Sequence, residues 1–252
     1  MKNQLSIEGK VVLLTGAAGY LGSAIGKYFK DQGTTVIGLS KSKKVHDLGY
    51  DKSFDFDLSC TAMLRYTLDC IIETYHVNVL VNNAYDMTST TGFGNCKSLS
   101  YTNWKNAFDC LYWLTAITEQ IGESMCIEQH GSIINISSMY SIVAPDPKLY
   151  EDTDYWNPDT YSAMKAGINM FTKRTAVNLG KSKVRCNAVL PGAFPNESVT
   201  DLKFLQRLRD KTVLNRVGHP NDLVGVIHFL ASNASSYITG QCIQIDGGWT
   251  IT

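Results

Sequence analysis

The chain has 252 residues, with 23 basic and 23 acidic side chains and a formal net charge of +0. That length suits one large domain or two small ones with a substantial core, and the balanced charge, with no basic stripe, argues against nucleic acid or an anionic membrane as partner. The seven cysteines are scattered, odd in number and never in a CxxC pair, which points to reduced thiols in a cytoplasmic setting and to no disulfide framework or metal site.

Glu8 and Lys10 precede only a short apolar run, so no signal peptide is read there. No apolar run approaches the roughly 20 residues of a membrane span. Val11-Val12-Leu13-Leu14, ending in Thr15-Gly16, reads as a buried strand. Leu21, Ala24, Ile25, Tyr28 and Phe29 then recur at helical spacing, and Gly33 closes that helix. The next strand is 35–39. Strand, glycine turn, helix, strand is a βαβ unit, with parallel strands and a right-handed crossover. Further strands fit at 54–56, 79–81, 132–136, 184–190 and 242–245, with helical patterns at about 61–75, 101–126, 159–180 and 221–231. Seven strands alternating with helices predict an α/β fold, a doubly wound parallel sheet covered by helices on both faces. No repeat, low-complexity tract or linker divides the chain, so residues 1–252 read as a single domain.

The first turn is Thr15-Gly16-Ala17-Ala18-Gly19-Tyr20-Leu21-Gly22. After a strand, Gly16 permits a tight turn, Gly19 lets backbone approach a pyrophosphate, and Gly22 lets the helix pack close to the sheet. The helix N-terminus adds unpaired N–H groups for phosphate. A cofactor with a free ribose 2′-hydroxyl usually meets an acid at the end of the second strand. That place holds Ser40, followed by Lys41, Lys43 and Lys44. A hydroxyl and cations suit a 2′-phosphate, so NADP(H) is expected in preference to NAD(H).

Tyr161 and Lys165 are four apart, which on a helix puts both on one face, about 5–6 Å apart at Cβ. An ammonium beside a phenol favours the phenolate. That moves the phenol from about 10 toward working pH, where it can pass a proton to or from a substrate oxygen. Tyr101 and Lys105 repeat the spacing, so the pair alone identifies nothing.

Taken in order, these stretches resemble the short-chain dehydrogenase/reductase family, in its compact one-domain branch with a Rossmann-type sheet, nearly end to end. The glycine turn matches at Thr15 to Gly22, and an adenine-contacting Asp matches at Asp57-Leu58. Asn82-Asn83-Ala84 matches an Asn-Asn-Ala-Gly, with Tyr85 in the Gly place. Ser138 matches a Ser after the fifth strand, followed by Tyr161 and Lys165. Pro191-Gly192 and Asp246-Gly247-Gly248 match the closing motifs. The resemblance implies that Ser138 binds the substrate oxygen and that Tyr161 is the general acid or base. It implies that Lys165 holds the nicotinamide ribose and lowers the Tyr161 pKa, while hydride moves directly between nicotinamide and substrate carbon. Ser137 is the neighbouring candidate, but strand alternation should point it to the opposite side. Tyr101 precedes the serine-bearing strand and is set aside.

Four departures stand out. The second glycine is at Gly19 where this branch has it at Tyr20, a spacing similar to that of the longer, sugar-nucleotide-modifying branch. The Asn whose carbonyl orders a water near the Lys is replaced, at Leu111 or Cys110. Tyr85 narrows the space beside the nicotinamide. Ser138 to Tyr161 spans 23 residues, nearly twice the usual gap. The insertion, at about 144–158, must sit over the substrate mouth because both its ends are tied to the site. Its Tyr150, Tyr155 and Trp156 suit stacking on a sugar face, and Asp146, Glu151 and Asp152 suit hydroxyl groups. The expected substrate is therefore a small carbonyl or alcohol compound: a sugar, a sugar alcohol or a nucleotide sugar. The chain also resembles surface-glycan and flagellin-modification members of the family. A 3-ketoacyl carrier-protein reductase and a non-catalytic dinucleotide sensor are the alternatives. Trp113, Ile117, Ile168, Met170 and Phe171 exceed what one buried helix face requires, and the resemblance implies self-association through these helices as a dimer or homotetramer.

Overall fold

The structure, a computed structural model, describes residues 3–85 and 101–252. Seven strands form one sheet: β1 (Val11–Thr15), β2 (Thr35–Ser40), β3 (Lys52–Asp55), β4 (Val79–Asn82), β5 (Gly131–Ile136), β6 (Val184–Pro191) and β7 (Cys242–Ile245). All neighbours pair in parallel, in the order β3-β2-β1-β4-β5-β6-β7. The helices are α1 (Tyr20–Asp31), α2 (Thr61–Thr74), α3 (Tyr101–Glu128), α4 (Asp159–Leu179), α5 (Leu202–Asp210) and α6 (Asn221–Ala231). Successive strand residues point to opposite faces, so each apolar strand feeds two cores. Val12, Leu14, Val36, Val79 and Val81 pack with Ile25 and Phe29 of α1 and Leu223 and Ile227 of α6. Leu13, Ile37, Leu80 and Ile133 pack with Leu68 of α2 and Ile117 and Ile121 of α3. The winding reverses between β1 and β4, and a crevice opens beyond the carboxyl ends of those strands, where open α/β sheets bind ligands.

A chain of buried amides and hydroxyls crosses the second face and fixes α3 and α4 on the sheet. Asn82 Nδ2 donates to Thr118 Oγ1 at 2.8 Å and to Asn135 Oδ1 at 2.9 Å, and Asn135 Nδ2 donates to Thr172 Oγ1 at 2.9 Å. This links β4, α3, β5 and α4 in one set of polar contacts, and a network of this kind rewards a single register.

The structure differs from the sequence reading in three places. β3 runs 52–55 and not 54–56, although Phe56 N still donates to Ser40 O at 3.0 Å beyond the ladder. The lysine stretch is no plain loop: residues 43–48 form a 3-10 turn that Ser42 caps and Val45 anchors in the core. α5 was not anticipated at all. Among the described residues no helix is long and apolar enough to cross a membrane. Six cysteines are free thiols, while Cys96 lies outside the described residues.

Candidate active site

The glycine turn follows β1 at the crevice. Gly16 has φ +65°, and a Cβ there would lie 2.8 Å from Ala84 Cα. A Cβ at Gly22 would lie 2.1 Å from Gly16 O and 2.8 Å from Asn83 Nδ2. Gly22 therefore spares the turn itself, rather than the contact with the sheet that the sequence reading gave it. Gly19 is the N-cap of α1, with no side-chain cap and no acidic residue in the first turn, so the helix N-terminus is left for an anion. Thr15 Oγ1 accepts from both Asn83 N and Ala84 N at 3.0 Å, and Asn83 Nδ2 donates to the Thr15 and Gly16 carbonyls at 3.2 Å. The segment after β4 is thus laced to the turn after β1.

A cleft of about 890 Å³ runs from this turn across the top of the sheet. Gly16, Gly19, Tyr20 and Leu21 line one stretch, Ser40, Lys41, Asp57 and Leu58 another, and Asn83, Ala84, Tyr85 and Tyr161 the inner end. Its volume, the glycines of the turn and the uncapped helix fit a dinucleotide. Gly22, Ser138 and Lys165 are buried and off the wall. Pro191 and Gly192 are also off it: Gly192 N donates to Ile245 O at 2.9 Å, and the wall is reached only further on, by Phe194, Asn196 and Val199. Trp113, Trp156 and Asn157 also line the cleft. Of these, Trp156 is the one the sequence places at the substrate mouth, while Trp113, Asn157, Phe194, Asn196 and Val199 carry no mark in the sequence beyond the last three's place shortly after the Pro-Gly.

The expected 2′-phosphate groups are partly engaged. Lys41 Nζ lies 3.1 Å from Asp57 Oδ2. The Ser59 backbone N–H, first, and then Lys41 hold the Asp57 carboxyl below its ordinary range. Ser40 is buried, and its Oγ accepts from Ser42 N at 3.2 Å.

Ser137 and Ser138 leave β5 in opposite directions. Ser137 Oγ donates to Lys165 O at 3.0 Å. Ser138 Oγ accepts from Tyr140 N at 3.1 Å, capping a turn at 139–141, and its hydroxyl also hydrogen-bonds Tyr161. Lys165 Nζ donates to Ile136 O at 2.8 Å and stands 5.6 Å from the centre of the Tyr161 ring and 5.3 Å from that of Tyr85. Burial pushes the Tyr161 phenol up, with the Ser138 hydrogen bond acting the other way, and burial pulls Lys165 down to about 8. This corrects the expectation that Lys165 lowers the phenol. The ammonium lies against the ring and is spent on a carbonyl, so desolvation dominates. On α3 it is Cys110 that faces Lys165, and an ionised thiol there would favour the ammonium. Leu111 instead packs toward Gly167 of α4. The competing pair is a solvated helix end, with Tyr101 83% exposed and Lys105 bridged to Asp109 at 2.7 Å.

The insertion is held by α5. Tyr155 stacks on Phe204 with ring centres 4.6 Å apart, and Tyr150 packs on Phe204 at 5.8 Å and on Trp156 at 5.9 Å. Asp146 pairs with Lys211 at 3.0 Å, and Arg207 donates to the Leu149 and Glu151 carbonyls. So Tyr150, Tyr155 and Asp146 face protein rather than a ligand, contrary to the sequence expectation. Trp156, Asn157 and Pro158 are the insertion residues that reach the cleft, and Asn157 Oδ1 is buried there without a partner.

A family model described as Enoyl-(Acyl carrier protein) reductase matches residues 16–250. The chain is 31% identical to the 3-oxoacyl-[acyl-carrier-protein] reductase FabG of Thermotoga maritima, over 98% of this chain and 100% of that protein. It is 26% identical to the 2-dehydro-3-deoxy-D-gluconate 5-dehydrogenase of Bacillus subtilis, over 99% and 98%. Its structure is similar to that of a short chain dehydrogenase from Leptospira borgpetersenii with bound NAD+, with a TM-score of 0.87, 26% identity and coverage of 99% and 96%.

Proposed function

The chain belongs to the short-chain dehydrogenase/reductase family, and from that premise we propose that it interconverts a secondary alcohol and a ketone on a polar, polyhydroxylated substrate, with NADP(H) preferred over NAD(H). The observation that carries the reading is that Tyr161 lines the inner end of a dinucleotide-sized cleft with Ser138 and Lys165 buried beside it. A bound nicotinamide cofactor would supply the hydride chemistry. Tyr161 gives its proton to the nascent alkoxide in reduction and takes it back in oxidation, and its raised pKa keeps the acid form loaded at neutral pH. Ser138 holds the phenol and the substrate oxygen in line. Lys165 supplies positive charge beneath them. Gly16, Gly19, Tyr20 and Leu21 would receive the pyrophosphate, Asp57 and Leu58 the adenine, and Asn83 and Ala84 the nicotinamide half. Lys41, bridged to Asp57 at the Ser40 end of the cleft, would turn toward a 2′-phosphate.

Trp156 and Asn157 support a hydroxylated substrate: a ring and an unpartnered acceptor among the residues that line the cleft. The Bacillus subtilis relative, named for a sugar acid, agrees. The second reading, a 3-oxoacyl thioester reductase, is favoured by the Thermotoga relative and by the apolar Phe194 and Val199, which also line the cleft.

The test is NAD(P)H consumption with a sugar-derived ketone and with an acetoacetyl thioester, for the wild type and Tyr161→Phe. The sugar-derived ketone should have the higher kcat/KM, and Tyr161→Phe should lower it by about 10²–10⁴-fold. Preference for the thioester would move the function to the second reading. Turnover untouched by Tyr161→Phe would remove the catalytic assignment. Equal affinity for NADPH and NADH would leave the lysines as a solvated turn.

A further inference from the structure

We propose that Tyr85 is a positioning residue for the reaction: its ring face holds the Lys165 ammonium in place beside Tyr161, a role that the glycine of the family motif cannot fill. The proposal rests on the oxidoreductase reading, but its geometry stands by itself.

One ring touches both members of the pair. The Tyr85 centroid is 5.3 Å from Lys165 Nζ, and its ring meets that of Tyr161 edge to face, with centres 5.2 Å apart at 70°. A cation within about 6 Å of a ring centre is attracted by the quadrupole, more strongly when water is excluded. Lys165 is 5% exposed, so water is excluded. The ring is also fixed in position. Tyr85 directly follows Asn83 and Ala84, whose backbone N–H groups are both tied to Thr15 Oγ1 at 3.0 Å. The cofactor turn, through Thr15, therefore sets where this ring stands.

The ammonium has few other supports. From β5 it is met by the Ile136 carbonyl at 2.8 Å, and from its own helix α4 by the Tyr161 ring. From α3 it is met by the Cys110 thiol, and from the segment after β4 by Tyr85. Among the described residues no carboxylate has a part in its titration. Burial already draws Lys165 down to about 8, close to working pH. A π-face that prefers the charged form holds the proton on where it would otherwise begin to leave. In the family motif a glycine at this place offers no such face, whereas here the Tyr85 ring stands 5.3 Å from the Lys165 ammonium.

The experiment follows Lys165 directly, by NMR titration of 13Cε-labelled lysine in the protein without added dinucleotide, with the resonance assigned from Lys165→Met. Tyr85→Leu keeps bulk and loses the π-face, and Tyr85→Phe keeps the face and loses the hydroxyl. The Lys165 midpoint should fall by about one pH unit in Tyr85→Leu and stay in place in Tyr85→Phe. Ketone reduction should fall by about 3- to 10-fold in the first and hold in the second. If the leucine chain does not fold, Tyr85→Gly takes its place in the same comparison. A midpoint that is the same in the wild type and in the ring-less variant overturns the proposal. A midpoint that moves in a protein reducing no ketone leaves Tyr85's role intact and removes the oxidoreductase reading instead.

Discussion

Lys165 is an expensive residue to fold. Its amine is almost fully buried, its hydrogen bond goes to a neutral carbonyl, and its pKa falls from 10.5 to about 8. A lysine whose folded value is depressed leaves the folded state with fewer protons than the unfolded state between about pH 8 and 10.5, so stability from this group rises with pH across that window. Below pH 8 the burial cost is borne in full. Lys165→Met should therefore raise Tm by a few degrees at pH 7, about 1–2 kcal/mol after allowing for the lost hydrogen bond, while abolishing turnover. The advantage should shrink as pH climbs toward 10.5. Tyr161, whose folded value is raised, loses stability as pH rises through that value in both chains, so it cancels from the difference. A Tm gain that did not change with pH would show that the ammonium was not the cause. At this scale the spacing of Tyr161 and Lys165 and the place of Ser138 were legible, because they follow from helix and strand periodicity. The direction of the phenol's shift was not. It depends on whether the ammonium ends at the hydroxyl or on the ring, and on burial by residues remote in sequence.

Among the elements, the strands could be read because short Val- and Leu-rich runs bounded by turns leave little alternative. α5 could not. Leu202–Asp210 is short and mostly polar, with Phe204 and Leu208 as its buried pair, and it lies in a stretch that reads as loop. Missing that helix also caused the insertion to be misread. Tyr150 and Tyr155 read as ligand-facing when their true partner, Phe204, belongs to an unrecognised element. The insertion and α5 pack together as one unit, which reaches the cleft through Trp156, Asn157 and Pro158. Arg207 is its main polar tether, through two backbone carbonyls, whereas the Asp146–Lys211 bridge is about a third to a half exposed and contributes little. Arg207→Ala should make residues 146–156 more sensitive to limited proteolysis and raise KM for substrate several-fold. NADPH affinity should be unaffected, since the dinucleotide residues lie on other loops. Asp146→Ala should do little of either. Equal protease resistance in Arg207→Ala and wild type would mean that the Tyr155–Phe204 stack alone holds the unit together.

For the whole molecule, the apolar excess on α3 and α4 divides differently from the sequence expectation. Trp113, Ile117 and Ile168 are buried within the chain, so they cannot form an interface. Exposed apolar residues on these helices include Tyr101, Phe108 and Tyr112 on α3 and Met170 and Val177 on α4, each set at four- or seven-residue spacing along one side of its helix, with Ile127 exposed apart from them near the end of α3. The exposed Glu119 and Glu123 continue the α3 stripe, and Lys173 and Arg174 interrupt that of α4. A two-fold axis between these helices would cover the rings and set acidic stretches against basic ones in both copies at once, as an isologous contact must. A row of solvent-facing rings on α3 beside exposed apolar side chains on α4 marks a surface to be covered. The protein is therefore expected to be at least a dimer at micromolar concentration, and Phe108→Glu combined with Met170→Glu should yield a monomer with its fold intact. Light scattering of both forms decides the matter. A wild type that is monomeric at every concentration would refute the dimer. A charged double variant that stayed dimeric would place the contact elsewhere, with the exposed Val213, Leu214 and Ile251 near the chain's end as the next surface to charge.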